Sequence, residues 1–201
     1  LTGSDIEIDF GGNDETLVGG AGNDTLIGNG GMDVLYGGSG DDRMVLNSAN
    51  LAELYVPSTF GSNLARVDGG SGIDTLAFAN EVGLSLDLTQ IANVAAGNPD
   101  GGSRLQSIEI IDISAGSFNT LTLAARDVRE IAAINSFLLS GDHELLVLGG
   151  TADTLVLADG IDPLNWVQGG TAEIDSIEYE VWTHDLSSAT IYVGIDVNVT
   201  F

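Results

Sequence analysis

The sequence has no cysteine and no lysine, and only three prolines among its 201 residues. Without cysteine there can be no disulfide and no thiolate-held zinc or iron. Five arginines are the whole basic complement, set against thirty Asp and Glu for a formal net charge of −25. Such a chain lacks the clustered cations that displace counterions from a phosphate backbone, which excludes nucleic acid as a partner, and it is repelled by an anionic lipid surface. No apolar run reaches the 18 or more residues of a membrane-spanning helix, so no membrane insertion is expected. The opening LTGSDIEIDF has neither the basic nor the long apolar part of a secretory leader. Because the first residue already falls in repeat-like sequence, the chain reads as part of a longer protein.

What is present argues for a folded chain. Hydrophobic residues make up 43 % and the mean hydropathy is +0.22, too apolar for charge-driven disorder. The length suits one elongated unit or two abutting subdomains. The carboxylates need a counter-charge, and hard oxygen ligands favour Ca²⁺ or Mg²⁺ over softer metals.

Internal periodicity carries most of the information. GGAGNDTLI at 19–27, GNGGMDVLY at 28–36, GGSGDDRMV at 37–45 and GGSGIDTLA at 69–77 fit one nine-residue form, GGxGxDxUx with U apolar, except for Asn29 at the second glycine. Upstream, FGGNDETLV keeps Gly12 and Asp14 and reads as a bulged repeat with one extra residue. Still earlier, Gly3 and Asp5 suggest a further turn. Glycine allows the positive φ of a tight turn that exposes carbonyl oxygens, and the Asp returns its carboxylate over that turn. The x-U-x segments, such as Thr25-Leu26-Ile27, are short strands with an inward central side chain. Two repeats make an eighteen-residue coil, so each turn stacks on the turn two repeats later. Two stacked half-cages then meet the six to eight oxygens that calcium requires. A linker is a poor alternative to four in-register copies. A metal-free solenoid is the other alternative, and its stacked Asp columns would repel in a partly dry setting.

These nonapeptides resemble the RTX (repeats-in-toxin) family. The resemblance implies an all-β fold, a right-handed parallel β-roll or β-solenoid with Ca²⁺ between successive turns. In that family one turn gives its first and third carbonyls and its Asp, and the stacked turn gives its second and fourth carbonyls and its Asp. Carried over, the first site is Gly19, Ala21 and Asp24 with Gly38, Gly40 and Asp42. The second is Asp9, Gly11 and Asp14 with Asn29, Gly31 and Asp33. The third is Gly28, Gly30 and Asp33 with Gly70, Gly72 and Asp74.

The calcium roll is expected over 1–77, interrupted by an excursion at 47–67 with a short helix after Ser48 and packing roles for Tyr55 and Phe60. Irregular solenoid coils without full metal turns are expected over 78–160. Their strands are read at 84–88, 108–113, 120–123, 144–148 and 154–157, with a helix within 123–135. GGTADTLVL at 149–157 is a decayed repeat that makes Asp153 a weak calcium candidate. The alternating segment from 161 to 201 is expected to give two or three antiparallel strands that cap the open end.

From GGSGIDTL through GGSRLQSIEIIDIS and NTLTL to WVQGGT and the YEVWT strand, the wording also resembles the C-terminal region of large RTX adhesins. That resemblance implies an uncleaved signal for type I secretion, read by an ABC transporter with its adaptor and outer-membrane channel. It also implies an extracellular or cell-surface bacterial protein whose other parts meet a host or surface ligand, with this part monomeric. No catalytic motif is found. His143 and His184 belong to no spaced metal or triad pattern, no GxSxG elbow exists, and a carboxylate pair means little among thirty acids. Trp166, Tyr179 and Trp182 could form a sugar platform but are expected to pack in the core. The chain is therefore read as not an enzyme. The alternatives are the noncatalytic tail of a secreted hydrolase or polysaccharide-modifying enzyme, and a glycan- or ice-binding module.

Overall fold

The computed structural model describes residues 7–9, 11–56, 65–91, 103–158 and 165–201. The expected turn at Gly3 and Asp5, and Phe60, lie outside these residues. Within them the fold is mostly strand, in parallel sheets. One sheet of nine strands joins β1 (Glu7–Asp9), β3 (Thr25–Ile27), β5 (Arg43–Leu46), β7 (Thr75–Phe78), β10 (Ile110–Asp112), β12 (His143–Leu148), β16 (Ala189–Gly194), β15 (Ile177–His184) and β14 (Trp166–Ile174). A four-stranded sheet runs β2 (Thr16–Ala21), β4 (Val34–Ser39), β6 (Arg66–Ser71) and β9 (Leu105–Gln106). The other four-stranded sheet orders as β17 (Asn198–Thr200), β13 (Thr154–Leu157), β11 (Thr120–Leu123) and β8 (Ser85–Asp87).

The register follows from the x-U-x triplets, because a one-residue slip would turn every core side chain outward. Three columns of apolar side chains result. Leu17, Leu35, Val67 and Leu105 are stacked by one sheet. Leu26, Met44, Leu76, Ile111, Val147 and Val193 are stacked by the long sheet, and Leu86, Leu121, Leu155 and Val199 by the third. All but Val199 are buried. At roughly 1.5–3 kcal/mol for each fully buried aliphatic side chain, these columns supply the main driving force for stacking.

Early coils have two strands and later ones three, and two helices manage the change. Helix α1 (Ser48–Glu53) packs beside β8 at the start of the third sheet, and Tyr55 Oη there accepts from Asp87 N at 2.6 Å. Helix α2 (Ala125–Ile131) packs on β9, the last strand of its sheet, and Ile131 O accepts from Ile108 N at 2.9 Å. At the C-terminal end β14, β15 and β16 pair antiparallel. The last of these also pairs parallel with β12, so this segment extends the long sheet.

Candidate metal centre

Turns between β-strands form two stacked series. One contains 19–24, 37–42 and 69–74, aligned by Gly20↔Gly38 and Gly38↔Gly70. In it the Asp at the sixth repeat position forms a ladder: Asp24 N donates to Asp42 Oδ1 at 2.8 Å, and Asp42 N donates to Asp74 Oδ1 at 2.8 Å. The remaining oxygens, Asp42 Oδ2 and Asp74 Oδ2, are buried with no hydrogen-bond partner. A buried acceptor left unmade costs about 1–3 kcal/mol, and more when charged. Burial pushes the Asp42 carboxyl up, and it pushes Asp74 up to about 7 with help from Glu109 and Asp42.

The backbone brings further oxygens to the same gaps. A Cβ on Gly38 would collide with Gly20 O, and one on Gly40 with Gly22 O, so these two carbonyls point up from the lower turn. A Cβ on Gly19 would meet both Asp24 Oδ2 and Gly37 O, and Ser39 O accepts from Gly22 N at 2.9 Å, so these two carbonyls point down. Gly38 and Gly40, at φ +119° and +122°, hold the conformation that permits this close approach. The gap between turns 19–24 and 37–42 is therefore lined by Gly20 O, Gly22 O, Gly37 O, Ser39 O and the carboxylates of Asp24 and Asp42, a six-oxygen set that suits calcium.

The sequence reading brought the correct two turns together here but reversed the carbonyls. Gly38 O and Gly40 O face Gly70 and Gly72 in the next gap, and by the same alternation Gly19 and Ala21 face away. Spacing cannot tell which side of a turn each peptide presents. The next gap, between 37–42 and 69–74, was missed. Gly38 O, Gly40 O, Gly69 O, Asp42 and Asp74 meet there, because the excursion adds its residues without breaking the stack.

The second series contains turns 11–15 and 28–33. Thr16↔Val34 and Leu17↔Leu35 set a plain eighteen-residue offset, so Glu15 and not Asp14 stands opposite Asp33. Asp33 Oδ1 accepts from Glu15 N at 2.9 Å, and Glu15 Oε2 is buried without a partner. Asp14 is exposed and accepts from Met32 N at 2.9 Å on the outside, while Asp9 lies in β1 opposite Ile27. The repeat has no bulge: a Glu occupies the Asp position. Gly11 O accepts from Asn13 N, and Asn13 O and Asn29 O face the gap toward Gly31 and Gly12. Asn29 has φ +55°, which asparagine tolerates where glycine is the rule.

The third expected pairing, of Gly28, Gly30 and Asp33 with Gly70, Gly72 and Asp74, is not made. The 69–74 turn stacks on 37–42, and the 28–33 turn is closed by Asn50 of α1. Asn50 Oδ1 accepts from Gly30 N at 3.0 Å, while its Nδ2 donates to Asp33 Oδ2 at 2.7 Å and to Gly31 O at 3.4 Å. Burial, opposed by these hydrogen bonds, pushes Asp33 up to about 6.

Among the described residues no three His, Asp or Glu side chains cluster as a metal site, so any cation here must be held largely by backbone oxygens, which is what glycine turns supply. A family model for the RTX calcium-binding nonapeptide repeat matches residues 11–44 in four copies. This segment is an RTX calcium-binding repeat region. The match begins with the Glu15 turn, which supports counting it as a repeat, and the RTX segment ends inside β5. No curated protein and no solved structure matches the chain.

The other candidates have structural partners. Asp153 uses both oxygens, accepting from Asn119 N and Gly150 N, each at 2.9 Å. His143 Nδ1 lies 2.7 Å from Ala132 O, and the His184 ring packs edge-on to Trp166. Trp166, Tyr179 and Trp182 are buried, so they present no open sugar platform.

Proposed function

We propose that the chain is a calcium-folded, right-handed parallel β-roll module from the C-terminal part of a large secreted adhesin, noncatalytic itself, that serves folding outside the cell and type I secretion. The observation that carries this reading is the set of buried carboxylate oxygens without partners, on Glu15 and Asp42 inside the RTX repeat region and on Asp74 in the turn stacked above it. In the first gap, Gly20, Gly22, Asp24, Gly37, Ser39 and Asp42 would hold the ion, which supplies positive charge between stacked turns. Modules of this kind bind with Kd on the order of 10⁻⁴ to 10⁻³ M, so they load outside a cell and stay empty in the cytosol. Binding to the folded state alone drives folding by mass action. An unloaded chain of charge −25 stays extended enough to thread an ABC transporter, its adaptor and an outer-membrane channel.

Circular dichroism during a calcium titration tests this, with magnesium as the control. A cooperative gain of β-structure near millimolar calcium is expected, and equal folding in chelator would sink the proposal. The secretion role is tested separately, by whether fusion of these residues to a passenger gives export only when the three transporter components are present.

A further inference from the structure

Above Asp74 the ladder does not stop. Asp74 N donates to Glu109 Oε2 at 3.0 Å, the same bond that Asp24 N makes to Asp42 and Asp42 N to Asp74. Glu109 thus occupies the next Asp position although no nonapeptide surrounds it, and its second oxygen accepts from Ala133 N at 3.2 Å. The carbonyl pattern also persists. A Cβ on Gly37 would meet Asp42 Oδ2 and Gly69 O, and a Cβ on Gly69 would meet Ser107 O and the Asp74 carboxyl. Ser107 follows Gln106, which pairs with Asp68, so it stands at the register position of Gly69, with φ +53°.

Asp74 and Glu109 are 0 % and 2 % exposed, and Asp74 Oδ2 is without a hydrogen-bond partner. Among the described residues the arginine ion pairs lie elsewhere: Arg43, Arg66 and Arg126 pair with Asp112, Asp68 and Asp127. Two adjacent carboxylates in a dry interior need a cation or a shared proton.

We propose that the chain holds one more divalent cation, calcium by the chemistry of its ligands, beyond the RTX segment, between the 69–74 turn and the Ser107–Glu109 corner. Gly70, Gly72 and Asp74 supply oxygens from below, and Ser107 O and Glu109 supply them from above. Gly70 and Gly72 are the counterparts of Gly38 and Gly40, whose carbonyls point upward. The site joins the repeat stack to the irregular coils, because Glu109 is also tied to Ala133 beyond α2. It rests on the calcium reading of the repeats.

Crystals of the full chain grown in calcium, with anomalous scattering recorded at long wavelength, decide the matter. Peaks both between Asp24 and Asp42 and between Asp74 and Glu109 are expected. A peak in the first place with none in the second overturns this inference alone and leaves the pair sharing a proton. Peaks in neither place overturn the calcium reading as well. Glu109→Gln provides a solution counterpart: by equilibrium dialysis it should bind one ion fewer than the parent chain while circular dichroism in saturating calcium stays unchanged. An unchanged ion count in folded Glu109→Gln overturns the inference, and if the variant fails to fold the anomalous map of the parent chain decides.

Discussion

Turn 69–74 and the later turn that ends at Asn119 use the same ladder and finish it differently. Asn119 Oδ1 accepts from Leu84 N at 2.8 Å, and Asn119 N donates to Asp153 Oδ1 at 2.9 Å, as in the Asp series. The other arm of Asn119 is an amide, and it donates to Ile113 O at 2.8 Å and Ala115 O at 2.6 Å. In turn 69–74 the corresponding arm is Asp74 Oδ2, with no partner. Asn50 does for the 28–33 turn what Asn119 does for its own. An asparagine brings its own donor to the turn carbonyls, whereas an aspartate needs a cation to reconcile its charge with them. Two regions of one stack are thus built from the same turn, one left with an unpartnered carboxylate oxygen and the other closed by a neutral side chain.

Calcium removal should separate the two regions most sharply. Hydrogen exchange in chelator is expected to strip protection from β2 to β7 and to leave β11, β12, β13 and β16 protected. Uniform loss across all strands would show that the amide-closed coils cannot stand without the calcium coils. Asp42 comes next in size, because it serves the gap below and the gap above. Asp42→Asn should move the calcium midpoint of folding upward by on the order of tenfold or more, since affinity follows the number of charged ligands. The same change at the exposed Asp14 should leave the midpoint in place, and a shift there as large as that of Asp42 would restore the ligand set first read from the sequence.

How far the sequence alone reaches can be judged from these residues. The period of nine placed Asp24, Asp33, Asp42 and Asp74 in turns and Leu26, Leu35, Met44 and Leu76 in the core, because a repeat encodes its own register. It also located α1 and α2 and the later strands to within a few residues. What it could not show was the neighbour of each turn once the spacing changed. The fourteen residues by which the step from Gly37 to Gly69 exceeds one coil hold α1, and only the fold reveals that Asn50 fills the place above Asp33. Glu15 and Glu109 were missed for a related reason, since a pattern that demands Asp at position six hides a Glu there. The signal that could have found Glu15 was the eighteen-residue offset from Asp33, counted without assuming a bulge.

A smaller effect tests whether the amide itself makes the difference. Asn119→Asp keeps the ladder acceptor for Leu84 and turns the donor arm into an oxygen facing Ile113 O and Ala115 O. The change should destabilise the chain in chelator by about 1–3 kcal/mol, the cost of a buried polar group left unpaired. Calcium should restore part of that loss if the turn can hold an ion. Thermal melts with and without calcium read both quantities, and a loss that calcium leaves untouched would place the difference in the turn backbone rather than in one side-chain atom.

The smallest expected effect is on pH in the absence of calcium, and its sign separates the regions again. Burial raises the carboxyls of Asp33 and Asp74 to about 6 and 7 from the 3.8 of an exposed aspartate. A group whose folded-state value is raised holds its proton more tightly when folded, so its contribution to stability is fully present below about 4 and is lost as pH rises through 6 to 7. In chelator the calcium coils should therefore be more stable at pH 5 than at pH 8. With calcium the order reverses, because the ion binds the deprotonated carboxylates and competes with the protons. The Asn119 turn lacks a carboxyl at that position and should show neither trend. Hydrogen exchange at the two pH values, corrected for its intrinsic rate, should show the change in β4 to β7 and little in β11. An equal response in both would mean that protonation acts on the stack as a whole and not at the carboxylates of the metal turns.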